Sequence, residues 1–236
     1  MVDLISRPKP VQIDSSDGTR LAARWYEETS VRDATLPVLV LSHPHTKFGG
    51  SSGMMDGLAR HLAARGFGVL SLDTRGAGDS AGSATWIGWN EVKDISAACV
   101  HAARETGARV VVLGSSGAAP FAGSAAAASD DVAACICIGY TCGVLCSLLW
   151  RAHYAKFFSS FKPKLFLHGT RDEHTSVSQL RSWIGKDESA ARVEVFDGIG
   201  HYELEGPRFE SEIADKIAAF VRDKVGVASA TVGAPS

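Results

Sequence analysis

No stretch of this 236-residue sequence stays apolar for the roughly 18 to 20 residues that a helix needs to cross a bilayer; Gly, Ser, Asp or Lys interrupts each apolar passage first. The opening MVDLISRPKP carries an acid at Asp3 and no apolar run, so it does not read as a secretory signal, and a cytoplasmic protein is expected. Charge of one sign is missing too. The 24 Lys and Arg are scattered among 26 Asp and Glu, for a net charge of -2, which leaves no field to gather a polyanion and no nucleic-acid partner to expect. Cysteine is sparse and odd in number: Cys99, Cys135, Cys137, Cys142 and Cys146 leave at least one thiol unpaired in a monomer. Four of them crowd one short apolar stretch, which suits buried thiols in a reducing compartment better than an extracellular disulfide framework. No Cys or His cluster follows Cys142 and Cys146 at zinc-binding spacing, and neither GxGxxG nor a phosphate loop with its Lys is present. No metal and no cofactor is expected.

What is there is an ordinary globular composition, 45% apolar and 21% charged, in a chain short enough for one core to organise. One domain is expected over residues 1–224, followed by a flexible small-residue tail at 225–236. Residues 11–26 read as two strands around the turn Ser15-Ser16-Asp17-Gly18. Short β-rich runs then recur at 38–42, 67–72, 109–113, 132–138, 164–168 and 192–196. Between them lie helical patterns at 54–65, 89–103 and 117–128, and another closes the chain at 210–221. Strand and helix in alternation predict an α/β fold: a mostly parallel central sheet flanked by helices, with an antiparallel pair at its start. Chemistry in such a sheet gathers at the carboxyl ends of its strands.

The most specific local feature is VVVLGSSGAAP, residues 110–120. A β-rich run passes through Gly114, Ser115, Ser116 and Gly117 straight into an Ala-rich helix. That strand, sharp turn and helix make a nucleophile elbow, which lifts one side chain above the sheet and leaves backbone N–H groups beside it. Ser116 takes the exposed point. Using Ser115 instead would put the bulky Leu113 where the backbone is crowded, although the Ser116 register itself places Ala118 where Gly is usual.

A neutral serine needs a base and a group to orient that base. Asp172, after the run KLFLH, and His201, after RVEVF, follow Ser116 in the order this fold uses. Glu173 and Asp197 are alternatives for the acid. The loop His43-Pro44-His45-Thr46 follows an earlier strand, so Gly117 with His45 or Thr46 is expected to supply the oxyanion-hole N–H groups; Pro44 has none to give. His43, Trp86, Trp89 and Leu145 are candidates to line a substrate pocket, with loop bracing or core packing the competing role for His43 and the tryptophans. Arg75, in Asp73-Thr74-Arg75-Gly76, is placed to pair with an acid. His61, His101, His153, His168 and His174 read as structural or exposed.

HPHT at 43–46, Gly49-Gly50, DTRGAGDS at 73–80, GSSGA at 114–118, GTRDE at 169–173 and Gly200-His201 resemble the α/β-hydrolase superfamily over residues 11–221. The resemblance is to its compact dienelactone-hydrolase-like and esterase-like members, and especially to a subgroup with an HPH-type loop and a GSS-type elbow. It implies a minimal or absent lid, the segment 141–160 being at most a tiny lid or substrate-facing insertion. It also implies serine hydrolysis of a small acyl-containing ester or thioester. The same groups would serve an amidase or peptidase, and the fold also hosts catalytically silent proteins that bind a protein partner.

Overall fold

Strands buried on both faces set the architecture. In the computed structural model, which describes residues 7–185 and 190–226 and only the backbone of Val144 and Leu145, every residue of β3 (Val38–Ser42), β4 (Val69–Leu72), β5 (Val110–Ser115), β6 (Val132–Ile138) and β7 (Lys164–Gly169) is buried. That is the pattern of strands covered by helices above and below. By contrast β1 (Lys9–Asp14) and β2 (Arg20–Tyr26) alternate, and β8 (Ala191–Phe196) is half-covered.

The eight strands form one sheet in the order β1-β2-β4-β3-β5-β6-β7-β8. β1 and β2 pair antiparallel, β2 joins β4 antiparallel, and all later pairings are parallel. The chain leaves β3 for β4 on one side, then returns to lay β5 on the other. That reversal opens a crevice at the carboxyl ends of β3 and β5.

Alternation along the strands splits the core in two. Leu39, Leu41, Leu113, Ile136 and Leu165 meet α1 (Asp56–Ala63) and α7 (Glu210–Lys224) on one face. Val40, Leu70, Val112, Cys135 and Phe166 meet α2 (Trp89–Thr106), α3 (Ala119–Ala128), α4 (Val144–Phe158) and α5 (Val177–Ile184) on the other. The alanines of α3 let its backbone come close: Gly123, inside it, has no room for a Cβ, which would fall 2.5 Å from the Phe157 ring.

Two expectations change. The segment 141–160 is a core crossover rather than an inserted lid: Trp150, Tyr154 and Phe157 of α4, between β6 and β7, are buried against α3, and the Trp150 ring reaches the elbow at Gly117. The helix read at 117–128 opens as a 3-10 turn (Ser116–Ala118) before α3, because the elbow occupies its first residues. All five cysteines are free. Burial pushes the Cys99 and Cys137 thiols well up, so they stay protonated. No helix among the described residues is long and apolar enough to cross a membrane. The tail expected at 225–236 lies outside the described residues from 227 on.

Candidate active site

Ser116 has φ 52, the one non-glycine residue with positive φ among the described residues. The left-handed turn is the elbow: it bends the chain from β5 into the 3-10 turn and lifts the side chain above the sheet. Gly114 is required by crowding, since a Cβ there would lie 2.7 Å from Ala119 Cα and from Ala122 Cβ. Ala118 is tolerated where Gly is usual because its φ of -87 and ψ of -14 are ordinary helical values.

The side chains of Ser116, His201 and Asp172 come together. Ser116 Oγ lies 2.7 Å from His201 Nε2, and His201 Nδ1 lies 2.6 Å from Asp172 Oδ2. A carboxylate can only accept, so Nδ1 carries the proton and Nε2 turns its lone pair to the serine hydroxyl. The other carboxylate oxygen of Asp172 accepts the N–H groups of His174 at 2.9 Å and Thr175 at 2.8 Å. Burial works to raise the Asp172 pKa, but the bond to His201, its charge and the Thr175 N–H outweigh it and hold the carboxyl below its ordinary value. Burial likewise depresses His201, and the bond to Asp172 with the charges of Asp172, Glu205 and Glu173 overcomes it, leaving the imidazole above its ordinary value. Neither alternative acid takes this place: exposed Glu173 accepts the backbone N–H of His201 at 3.0 Å, and Asp197 accepts the Thr170 hydroxyl at 3.2 Å.

His201 begins a single helical turn, α6 (His201–Leu204). Gly139, just past β6, lets its ring in. It has φ 56, and an added Cβ would sit 2.9 Å from His201 Cε1 and 3.1 Å from Nδ1. Gly139→Ala is therefore expected to push the ring off the Ser116 hydroxyl and slow serine chemistry by about 100-fold, the cost of a misplacement near 1 Å. Comparing turnover with the thermal midpoint separates that displacement from loss of fold.

A sequence model of the family described as serine aminopeptidase, S33, matches residues 37–194. The chain belongs to that family. Its architecture also matches solved structures. An α/β serine hydrolase homologue from Coxiella burnetii shares 19% identity over 91% of this chain and 96% of its own, with a TM-score of 0.72. An esterase from Pyrococcus furiosus shares 20% over 93% of each chain, again at 0.72. A serine hydrolase described as lacking a lid, from Xanthomonas campestris, shares 20% over 93% and 94%, also at 0.72. At such identities the likeness is one of fold, the α/β-hydrolase fold. No curated protein matches the chain.

In this S33-family chain the early loop divides its labour. His43 is fully buried and faces the loop rather than a pocket: Nδ1 donates to the Pro44 carbonyl at 2.6 Å, and Nε2 accepts the Thr74 N–H at 3.1 Å. Burial keeps it neutral. His45 donates from Nε2 to the Thr85 carbonyl at 2.9 Å and sets its ring edgewise to Phe121 and Trp150. Its Cβ lies beside the elbow, where a Cβ on Gly117 would meet it at 3.2 Å. The turn's own bonds are donated by Phe48 to His45 O and by Gly49 to Thr46 O, so the N–H groups of His45 and Thr46 are not spent on closing it.

The remaining candidates separate. Trp86 stays on the rim, 54% exposed, edgewise to the still more exposed Phe48, while its carbonyl accepts the Trp150 indole N–H at 2.8 Å. Trp89 opens α2 and stays exposed, its ring lying over buried His153 of α4 with centroids 4.1 Å apart. His153 itself bridges the Ser124 hydroxyl and the Ile87 carbonyl at 2.8 Å each. The Leu145 side chain lies outside those described. Arg75 forks onto Asp94, at 2.9 and 2.6 Å, and reaches Asp17 at 3.0 Å, bracing its loop. Sequence reasoning missed Gly139, Glu173 as a cap on His201, and Glu205. Only Gly139 carried a local signal, a glycine directly after a buried strand.

Proposed function

We propose that this chain hydrolyses carboxylic esters or thioesters through an acyl-serine formed on Ser116. The observation that carries the reading is the unbroken hydrogen-bonded line from Asp172 through His201 to the hydroxyl of a residue held at φ 52. Ser116 Oγ attacks the acyl carbon as its proton passes to His201 Nε2, and the carbonyl oxygen takes the negative charge. The N–H of Gly117, with that of His45 or Thr46, receives it. Collapse of the tetrahedral adduct returns the proton from Nε2 to the departing oxygen or sulfur; water then repeats the sequence to free the acid.

This reading also gives the substrate an orientation. The leaving atom must lie within reach of His201 Nε2, so the acyl group turns the other way, toward Gly117. There the position of a missing Cβ is 3.2 Å from the Trp150 ring and 3.6 Å from Phe48. With Phe48 64% and Trp86 54% exposed, that side offers an open apolar wall, which favours apolar acyl groups.

A fluorophosphonate tests the nucleophile without a known substrate: the Ser116 Oγ–P bond forms, fluoride leaves with the bonding pair, and the hydroxyl proton goes to His201. Labelling mapped to Ser116, with 4-nitrophenyl hexanoate cleaved faster than the acetate, is the expected result. Label that persists in Ser116→Ala sinks the assignment of the nucleophile, and a parent with neither label nor turnover sinks the proposal. The family's description supplies the rival reading, an aminopeptidase, and faster cleavage of aminoacyl 4-nitroanilides than of either ester would favour it.

A further inference from the structure

Glu205 has no part in the proton path, yet it closes on the elbow. It directly follows the turn that carries His201, four residues on, so the two side chains leave one face of that turn. His201 bonds Ser116, and Glu205 accepts the hydroxyl of Ser115, the residue before it. Two neighbouring elbow residues are thus engaged by an i,i+4 pair. Ser115 is buried and extended, at φ -104 and ψ 140, two residues after Leu113 on β5, so its side chain takes the Leu113 face of the sheet, the one that Leu204 of α6 covers. Resting on the serine hydrolase reading above, we propose that Glu205 is a positioning residue for the Ser116–His201 pair, fixing through Ser115 the distance between elbow and base and adding negative charge beside the imidazole.

Several observations support this. α6 is only one turn long, too short to hold a ring by itself. Its N-terminal side is tied by Glu173 to the His201 N–H, and Glu205 ties the far side. The groups facing His201 are Asp172 and Glu173 from the loop after β7, the ring of His174 at 4.6 Å, Tyr202 from its own turn at 5.3 Å, Ser116 and Glu205. Glu205 acts on the imidazole by charge alone, without a bond to it. Burial pushes the Glu205 carboxyl above its ordinary value, while the Ser115 hydroxyl and the charge of His201 oppose that rise. Glu205 and Ser115 also line a small cavity together with Glu210 and the apolar side chains of Met55, Leu58, Ile138 and Leu204.

The test measures the rate of fluorophosphonate labelling at Ser116 against pH, which needs no identified substrate. Glu205→Ala is expected to slow labelling by about 30-fold and Ser115→Ala by about tenfold, as for loss of a charge-assisted bond that sets catalytic geometry. Glu205→Gln keeps an acceptor for Ser115 at the same size, so it recovers the rate to within about fivefold of the parent. Lacking the charge, it also moves the acid limb to lower pH, by about half a unit. Folded Glu205→Ala or Ser115→Ala labelled within twofold of the parent overturns the inference. So does a Glu205→Gln as slow as Glu205→Ala, or one with an unmoved limb. If Glu205→Ala fails to fold, Ser115→Ala and Glu205→Gln decide alone. A parent that takes no label refutes the hydrolase reading, and this inference falls with it.

Discussion

Exchanging Ser116 for glycine is expected to abolish ester turnover while leaving a chain more stable than the one with alanine there. Removing the hydroxyl leaves His201 nothing to deprotonate, and loss of a serine nucleophile in this kind of arrangement costs about 10⁴-fold or more in kcat. The stability half comes from the backbone. A side chain at φ 52 costs about 1 to 2 kcal/mol, a cost that glycine avoids. Glycine gives back about 0.4 to 1 kcal/mol through the entropy of the unfolded chain. Both variants lose the bond to His201, so their difference is the strain less that entropy. Glycine should win by roughly 0.5 to 1 kcal/mol, reversing the ordinary ranking of the two residues. Denaturant midpoints measure it; alanine as the more stable variant would mean that the strain is smaller than the entropy glycine gives back.

Asp172→Asn is expected to cost about 10³ to 10⁴-fold in kcat with the fold intact. The carbonyl oxygen of the new amide is the natural acceptor for the N–H groups of His174 and Thr175, which now share one carboxylate oxygen. Its NH₂ then faces His201 Nδ1 and forces the ring proton onto Nε2, where it blocks the lone pair that Ser116 requires. The pH profile changes as well. The proposed mechanism needs neutral His201, whose pKa stands above the ordinary value chiefly because the effects of Asp172 overcome burial. The parent therefore loses activity as pH falls through that raised pKa, and the residual activity of the variant persists to lower pH. Stability follows the opposite group. The Asp172 pKa is lowered in the folded chain, so its contribution is present above the unfolded carboxyl pKa and is lost as pH falls through the folded one; the variant lacks that dependence. An undiminished kcat in the folded variant would move the acid role elsewhere.

Much of this was legible in the sequence because it is written in local chemistry. VVVLGSSGA declares a strand, a tight turn and a close-packed helix in nine residues, and the runs before Asp172 and His201 place both at strand ends. What was hidden depends on contacts across the fold. The apolar stretch after Gly143 looked like an insertion because periodicity alone cannot say which layer a helix faces; the burial of Trp150, Tyr154 and Phe157 against α3 answers that. His43 and His45 were alike as letters. They differ in position: the His43 ring is held inside the loop by Pro44 and Thr74, whereas His45 bonds Thr85 and brings its Cβ up to Gly117 of the elbow. Glu205 is four residues from His201 in sequence, but its meaning lies in a bond to Ser115, 90 positions away.

Three carboxyl groups, those of Asp172, Glu173 and Glu205, surround a single imidazole. A substrate entering there meets a local field that penalises any anionic portion brought close to the leaving atom. On the proposed hydrolase reading, uncharged esters enter without that penalty, and esters that carry a negative charge on the leaving group are disfavoured.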